Sequence, residues 1–155
     1  MSIVYLNGEF VDSATASISV FDQGLLYGDG IFESFRAIGS KFYQLPQHFQ
    51  RLQQSARALG YPMALSQQHL EEILTELNRR NNLQNAYFRI TITRGQGEIG
   101  FQRHLTDQLT CLVIGREFQG FDPQLYENGI QLHVAETRRN APEAINPQIK
   151  SISNL

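Results

Sequence analysis

The 155-residue chain is predicted to be an α+β protein, an antiparallel sheet with two helices. Three observations predict this. Two tight-turn signatures, Asn7-Gly8 and Gly39-Ser40, stand between short apolar runs near the start. Two stretches of helical periodicity come next, and alternating apolar and polar segments follow them. Hairpins, then a helix pair, then strands is the order of a segregated α+β domain rather than of βαβ units.

The elements follow in order. Ile3-Val4-Tyr5-Leu6, Asn7-Gly8 and Glu9-Phe10-Val11 make a hairpin, because Asn-Gly supplies the positive φ angles of a two-residue turn. Residues 32–38 and 41–45 around Gly39-Ser40 make a second hairpin. From Pro46, the residues Phe49, Leu52, Ala56 and Leu59 recur at helical spacing until Gly60 and Pro62 stop the run. A second helix begins at Ser66, a favoured N-cap residue, carries Leu70, Ile73, Leu74 and Leu77 on one face, and ends at Asn81-Asn82. Both apolar stripes are core faces. Residues 86–93 alternate, with Phe88, Ile90 and Ile92 on one face and Tyr87, Arg89, Thr91 and Thr93 on the other, a polar face for a strand in mid-domain. Two more strands are expected at 109–115 and 129–135, and 137–147 is a polar, proline-bearing connection.

A hydrophobic content of 41%, 18% charged residues and a net charge of −2 argue against disorder and against a polybasic nucleic-acid surface. Cys111 lies in Leu109-Thr110-Cys111-Leu112-Val113-Ile114 and reads as a small core residue, with no disulfide framework around it. The start shows no basic region before a long apolar run, and no stretch reaches the roughly 18 apolar residues of a membrane span, so a reducing cytoplasm is expected. His48, His69, His104 and His133 share no ligand spacing, and no metal site is expected. Gly95-Gln96-Gly97-Glu98-Ile99-Gly100 matches the dinucleotide fingerprint, but too few residues separate it from the next strand for the crossover helix that would meet a pyrophosphate. A glycine-rich loop lining a small-molecule site fits it better.

Of the thirteen cationic side chains, eleven are Arg and two are Lys. One of the two, Lys150, stands in Pro147-Gln148-Ile149-Lys150-Ser151, five residues from the end. Arg cannot replace a lysine that must lose its proton and attack a carbonyl, so a chain that otherwise supplies its charge with Arg singles this amine out for chemistry. Arg51 falls beside the apolar stripe of the first helix, where it either snorkels to water or clamps a phosphate. Asp22-Gln23-Gly24-Leu25-Leu26-Tyr27-Gly28-Asp29-Gly30-Ile31-Phe32-Glu33 is the densest block of glycine, aromatic and acidic residues, and predicts a tight backbone path into a strand.

Taken together, Tyr5-Leu6-Asn7-Gly8, residues 24–33, His48-Phe49-Gln50-Arg51-Leu52 with Ser55-Ala56, Tyr87-Phe88-Arg89, Thr93-Arg94-Gly95 and Pro147-Gln148-Ile149-Lys150-Ser151 resemble the fold-type IV pyridoxal-phosphate enzymes. This is the class IV aminotransferase family of branched-chain aminotransferases, D-amino-acid aminotransferases and aminodeoxychorismate lyases. The resemblance implies that Lys150 carries pyridoxal 5'-phosphate as a Schiff base and moves the α-proton, and that Arg51 binds the cofactor phosphate. It also implies that Tyr27 and Phe32 line the substrate side and that Tyr87 and Arg89 lie near the substrate carboxylate. Glu33 and Arg94 would support the site. The implied reaction moves an amino group between an amino acid, branched-chain-like and L, and a 2-oxo acid, in a homodimer. The alternatives are aminodeoxychorismate lyase, a D-amino-acid enzyme third, or a fragment without catalysis. Ser151-Ile152-Ser153-Asn154-Leu155 departs from the Leu-Asn-Tyr or Leu-Asn-Arg of many relatives. In the family the lysine lies near mid-chain, and the half after it supplies the acid that pairs with the pyridine nitrogen. The resemblance therefore implies a small N-terminal domain of antiparallel sheet with two helices at residues 1–120, followed at 121–155 by the connection and the first strands of a second, large domain that is cut short.

Overall fold

The computed structural model describes residues 2–100 and 108–153. Six strands form one sheet in the order β2-β1-β6-β5-β3-β4. Strands β1 (Ile3–Leu6) and β2 (Glu9–Asp12) are the first hairpin, with Leu6 opposite Glu9 and the turn made by Asn7 and Gly8 at φ 50° and 101°. These are the positive angles for which Asn-Gly is selected. β3 (Gly30–Ile38) turns through Gly39 and Ser40 into β4 (Lys41–Phe42). The expected strand at 41–45 is shorter because Gln44 takes φ 48° and swings the chain into helix α2 (Leu45–Ala58), whose first turn holds Pro46. Proline suits that place, since its missing N–H would have no helical partner there.

Helix α3 (Gln67–Arg80) is capped as its sequence requires: the Ser66 hydroxyl oxygen accepts the His69 amide at 3.1 Å. Leu52 of α2 and Leu70, Ile73, Leu74 and Leu77 of α3 are buried against Ile31, Phe35, Phe88, Ile90 and Val113 of the sheet. Strand β5 (Asn85–Thr93) pairs with β3 along its whole length and with β6 (Thr110–Glu117) on its other side, all antiparallel. β6 then reaches β1 and joins the N-terminal hairpin to the rest. Because side chains alternate across a strand, Phe32, Ser34 and Arg36 of β3 share the second face with Tyr87, Arg89 and Thr91 of β5. Among the described residues no helix covers that face, and these residues are half-buried.

Two short helices escaped the sequence pattern. α1 (Gln23–Tyr27) lies inside the glycine-rich block expected to be a tight backbone path into a strand. Buried Asp22 caps it, accepting the Gly24 amide at 2.8 Å and the hydroxyls of Thr93 and Thr110 at 2.9 and 2.7 Å. α4 (Pro123–Asn128) is capped by Asp122.

The strand expected at 129–135 is not formed. Ile130, Leu132 and Val134 alternate as a strand should, yet they are 68, 82 and 89% exposed. Among the described residues no strand pairs with this stretch, and alternation alone cannot hold an extended backbone whose N–H and C=O groups have no ladder.

Candidate functional site

After the 129–149 stretch the chain returns to the sheet. Ser151 bridges to Ile31, the Phe32 amide donates to the Lys150 carbonyl at 2.9 Å, and the Ile152 amide donates to the Gly30 carbonyl at 3.0 Å. The approach is close. A Cβ on Gly30 would lie 2.6 Å from the Ile152 side chain, and one on Gly28, where φ is 68°, would lie 2.9 Å from Ser153. The glycines of the block at 24–33 therefore let the lysine segment dock against the start of β3.

Docking closes one side of an open hollow of about 800 Å³. Among the described residues that line it are Phe32, Arg51, Gln54, Arg89, Arg139 and Lys150, four of them cationic and none acidic. The Phe32 ring is shared: the Arg89 guanidinium carbon lies 3.9 Å and the Lys150 ammonium 4.5 Å from its centroid. A ring face offers a cation partial compensation for lost water, so Phe32 can hold both groups near the hollow. The Arg89 Nε also donates to the Thr91 hydroxyl at 3.2 Å.

Arg51 is oriented from behind. Its Nε and Nη2 donate to the two carboxylate oxygens of Glu33, the second bond measuring 2.7 Å, and His48 Nδ1 lies 2.8 Å from the same Oε2. Glu33 is 1% exposed and Arg51 47%. Burial would raise the Glu33 carboxyl, but hydrogen bonds from Arg51 and His48, and their charges, outweigh it and hold the group below its ordinary value. The same carboxylate pushes Arg51 above its ordinary value. Two of five guanidinium donors are committed to Glu33, so the Nη1 edge stays available to an anion in the hollow. His48 and Arg51 stand three apart on α2, one helical face, a spacing that could have flagged the pair in the sequence.

The expected site residues thus divide. Lys150, Arg51, Arg89 and Phe32 meet in one hollow. Tyr87 shares the open sheet face with Arg89 but lies opposite Arg36 and Arg116, one pair further along the strand. Tyr27 lies on α1, where its hydroxyl accepts the Gly100 amide at 2.8 Å. Arg94 is buried away from the hollow: its Nε donates to Asp29 at 2.6 Å, and the same carboxylate takes the Tyr61 hydroxyl at 2.6 Å. It braces the loop between α1 and β3. Arg139 was missed, since nothing but charge marks it within the polar 137–147 connection.

The glycine-rich stretch at 95–100 packs on the approach to α1, with Gly95 accepting the Gln23 amide at 2.8 Å and Gly97 donating to Phe21 at 3.1 Å. Gln96 borders a second, larger hollow of about 1220 Å³, whose described lining includes neither carboxylates nor Lys or Arg. It offers no permanent counter-charge for a phosphate or carboxylate. Cys111 is half-buried, and burial pushes its thiol up to about 11. Among the described residues no group of three His, Cys, Asp or Glu could hold a metal, and no helix is long and apolar enough to cross a membrane. His104 lies outside the described residues.

Residues 30–155 match the family model described as amino-transferase class IV. The chain is 38% identical over 152 residues to a Methanocaldococcus jannaschii protein described as "Putative branched-chain-amino-acid aminotransferase", covering 98% of this chain and 52% of that one. It is 31% identical to the aminodeoxychorismate lyase of Bacillus subtilis, over 91% of this chain and 48% of that one. Among solved structures, the branched-chain amino acid aminotransferase from Escherichia coli superposes with a TM-score of 0.85 at 27% identity, over 99% of this chain and 50% of that chain. The branched-chain aminotransferase of the thermophilic archaeon Thermoproteus uzoniensis, solved with norvaline, gives 0.67 at 27% identity, over 76 and 41% of the two chains. A further branched-chain amino acid aminotransferase, solved with pyridoxamine 5'-phosphate, gives 0.71 at 27% identity, over 77 and 41%. The chain spans about half the length of these curated relatives.

Proposed function

The chain belongs to the class IV aminotransferase family, and from that premise we propose that it contributes the lysine and the phosphate grip of a pyridoxal-phosphate enzyme. The reaction is amino-group exchange between a branched-chain-like L-amino acid and a 2-oxo acid. The observation that carries this reading is the meeting of Lys150 and Arg51 in one cationic hollow, although 99 positions separate them in the sequence. The donor set fits the cofactor: an arginine edge for a phosphate, an amine for an aldehyde and a further arginine for a carboxylate, with no acid in the described lining to repel either anion.

When bound, pyridoxal phosphate supplies a carbonyl for an amine and an electron-withdrawing ring that eases removal of the α-proton. Arg51, held by Glu33, grips the phosphate. Lys150 would be the amine that meets the cofactor aldehyde and the group that moves a proton at the substrate α-carbon. Arg89 orients the substrate carboxylate with Tyr87 beside it on the same sheet face, and Phe32 packs against the substrate while steadying both cations. Tyr27 serves the substrate side from α1. We take residues 1–120 as the small domain and 121–155 as the start of the large one; the end of β6 at Glu117 and the exposed alternation of Ile130, Leu132 and Val134 support this division. A homodimer is proposed on the family resemblance, and exposed Phe21, Leu25 and Leu26 around α1 are consistent with such a contact.

The test is an absorbance spectrum of the chain with added pyridoxal phosphate, before and after borohydride, beside Lys150→Ala. A protein-bound band near roughly 410–430 nm, fixed by reduction only when Lys150 is present, is the expected result. Its absence in the native chain would refute the reading. The similarity to the Bacillus subtilis enzyme favours a second reading, β-elimination from aminodeoxychorismate with the same lysine. Pyruvate release without an oxo-acid acceptor would select it.

A further inference from the structure

Helix α2 buries Leu45, Phe49, Leu52 and Ala56, and among these apolar residues it also buries Ser55, at 2% exposure. A hydroxyl taken out of water needs a partner. Its oxygen accepts the backbone amide of Lys150 at 3.2 Å, across 95 positions of sequence. On the other side of the same residue, the Lys150 carbonyl accepts the Phe32 amide at 2.9 Å. The peptide groups flanking the Lys150 Cα are therefore both pinned, one by a side chain of α2 and one by β3. Their directions set where the Cα–Cβ bond aims, and hence where the amine enters the hollow. Ser55 stands four residues after Arg51, one turn along the same helix face.

We propose that Ser55 is a positioning residue: its buried hydroxyl aims Lys150, so that one rigid helix carries both the anion grip and the anchor of the reacting amine. Removing a hydroxyl that holds a peptide amide leaves that N–H unpaired and lets the segment shift. A displacement of the lysine should then slow its chemistry without touching Arg51. This rests on the reading of Lys150 as the amine that meets the cofactor aldehyde.

The chain contains only two lysines, Lys150 and the exposed Lys41 on β4, so the second is an internal reference. Native chain and Ser55→Ala are incubated with pyridoxal phosphate, reduced with borohydride, digested, and the adducts at the two lysines quantified by mass spectrometry. In each adduct the amine displaces the aldehyde oxygen as water, and borohydride delivers a hydride that fixes the C–N bond. The expected result is a fall of about tenfold in the Lys150-to-Lys41 ratio. Competition by inorganic phosphate, which reports Arg51, should keep its native midpoint, as a general loss of structure would not allow. Ser55→Thr should retain the ratio and Ser55→Val, similar in size but without a hydroxyl, should lose it; this pair decides the matter if the alanine variant fails to fold. An unchanged ratio in folded Ser55→Ala, or equal behaviour of the Thr and Val variants, would overturn the proposal. A native ratio near unity would instead overturn the assignment of Lys150, and this inference with it.

Discussion

Glu33→Gln tests how the anion grip is built. In the native chain the carboxylate is 1% exposed and takes two N–H groups of Arg51 and the ring nitrogen of His48. Glutamine keeps one acceptor oxygen for Arg51 and can donate its amide to a neutral His48, but its nitrogen faces the second Arg51 donor. One charge-assisted bond is lost and another becomes neutral. A charge-assisted bond contributes about 1.5–3 kcal/mol and a neutral one about 1. Arg51 is 47% exposed and can turn its freed donor to water, which roughly halves the cost of the lost bond. The two effects give about 1 kcal/mol each, and so about 2 kcal/mol in total. With a urea m-value of about 2 kcal/mol/M, the unfolding midpoint should drop by about 1 M at pH 7 with the slope unchanged.

The pH dependence follows from the lowered Glu33 carboxyl. The folded chain holds Glu33 ionised to lower pH than the unfolded chain, whose ordinary value is 4.5. Its contribution is therefore whole above that value and is lost as pH falls through the lower folded value. The gap between native and Glu33→Gln chains should narrow on acidification from pH 4.5. On the proposed function, affinity for pyridoxal phosphate should also fall more than affinity for pyridoxal, because only the phosphate would meet Arg51. A variant as stable as the native chain at pH 7, or a gap that stays constant as the pH falls below 4.5, would refute this account.

Two further outcomes follow from the fold. Ser66→Ala removes the acceptor of the His69 amide and should cost about 1 kcal/mol in urea unfolding, with the sheet intact by circular dichroism. Cys111, its thiol pushed up to about 11 by burial, should react with a disulfide reagent at pH 7.5 at well under a tenth of the rate of free cysteine, about the ratio of thiolate populations, and reach the free rate only in denaturant. Fast labelling of the folded chain would refute the β6 packing.

Much of the fold was legible because its signals are local. Asn7-Gly8 specifies its turn, Ser66 its helix start, and the stripes of Leu52, Leu70, Ile73, Leu74 and Leu77 their buried faces, since each depends on residues within a few positions. The block from Asp22 to Glu33 was legible as crowded but not as a helix. What shapes α1 is the hold of Thr93 and Thr110 on its cap Asp22, from strands about seventy and ninety positions on. The alternation at 129–135 failed for the opposite reason: a strand is a property of a pair, and among the described residues nothing completes one with this stretch.

Local chemistry also marked the site's members. Scarcity of lysine singled out Lys150, and the run of motifs around Arg51 and Tyr87-Phe88-Arg89 carried the family resemblance. Only the tertiary structure decided how they combine. It brought Lys150 onto β3 beside Arg51 and Arg89, placed Tyr87 one pair away, left Tyr27 on α1, and turned Glu33 from a strand residue into the carboxylate that aims Arg51. A sequence states which side chains can ionise, cap or pack. Which of them share a hollow is settled by backbone pairing between segments more than a hundred residues apart, and no local pattern encodes that distance.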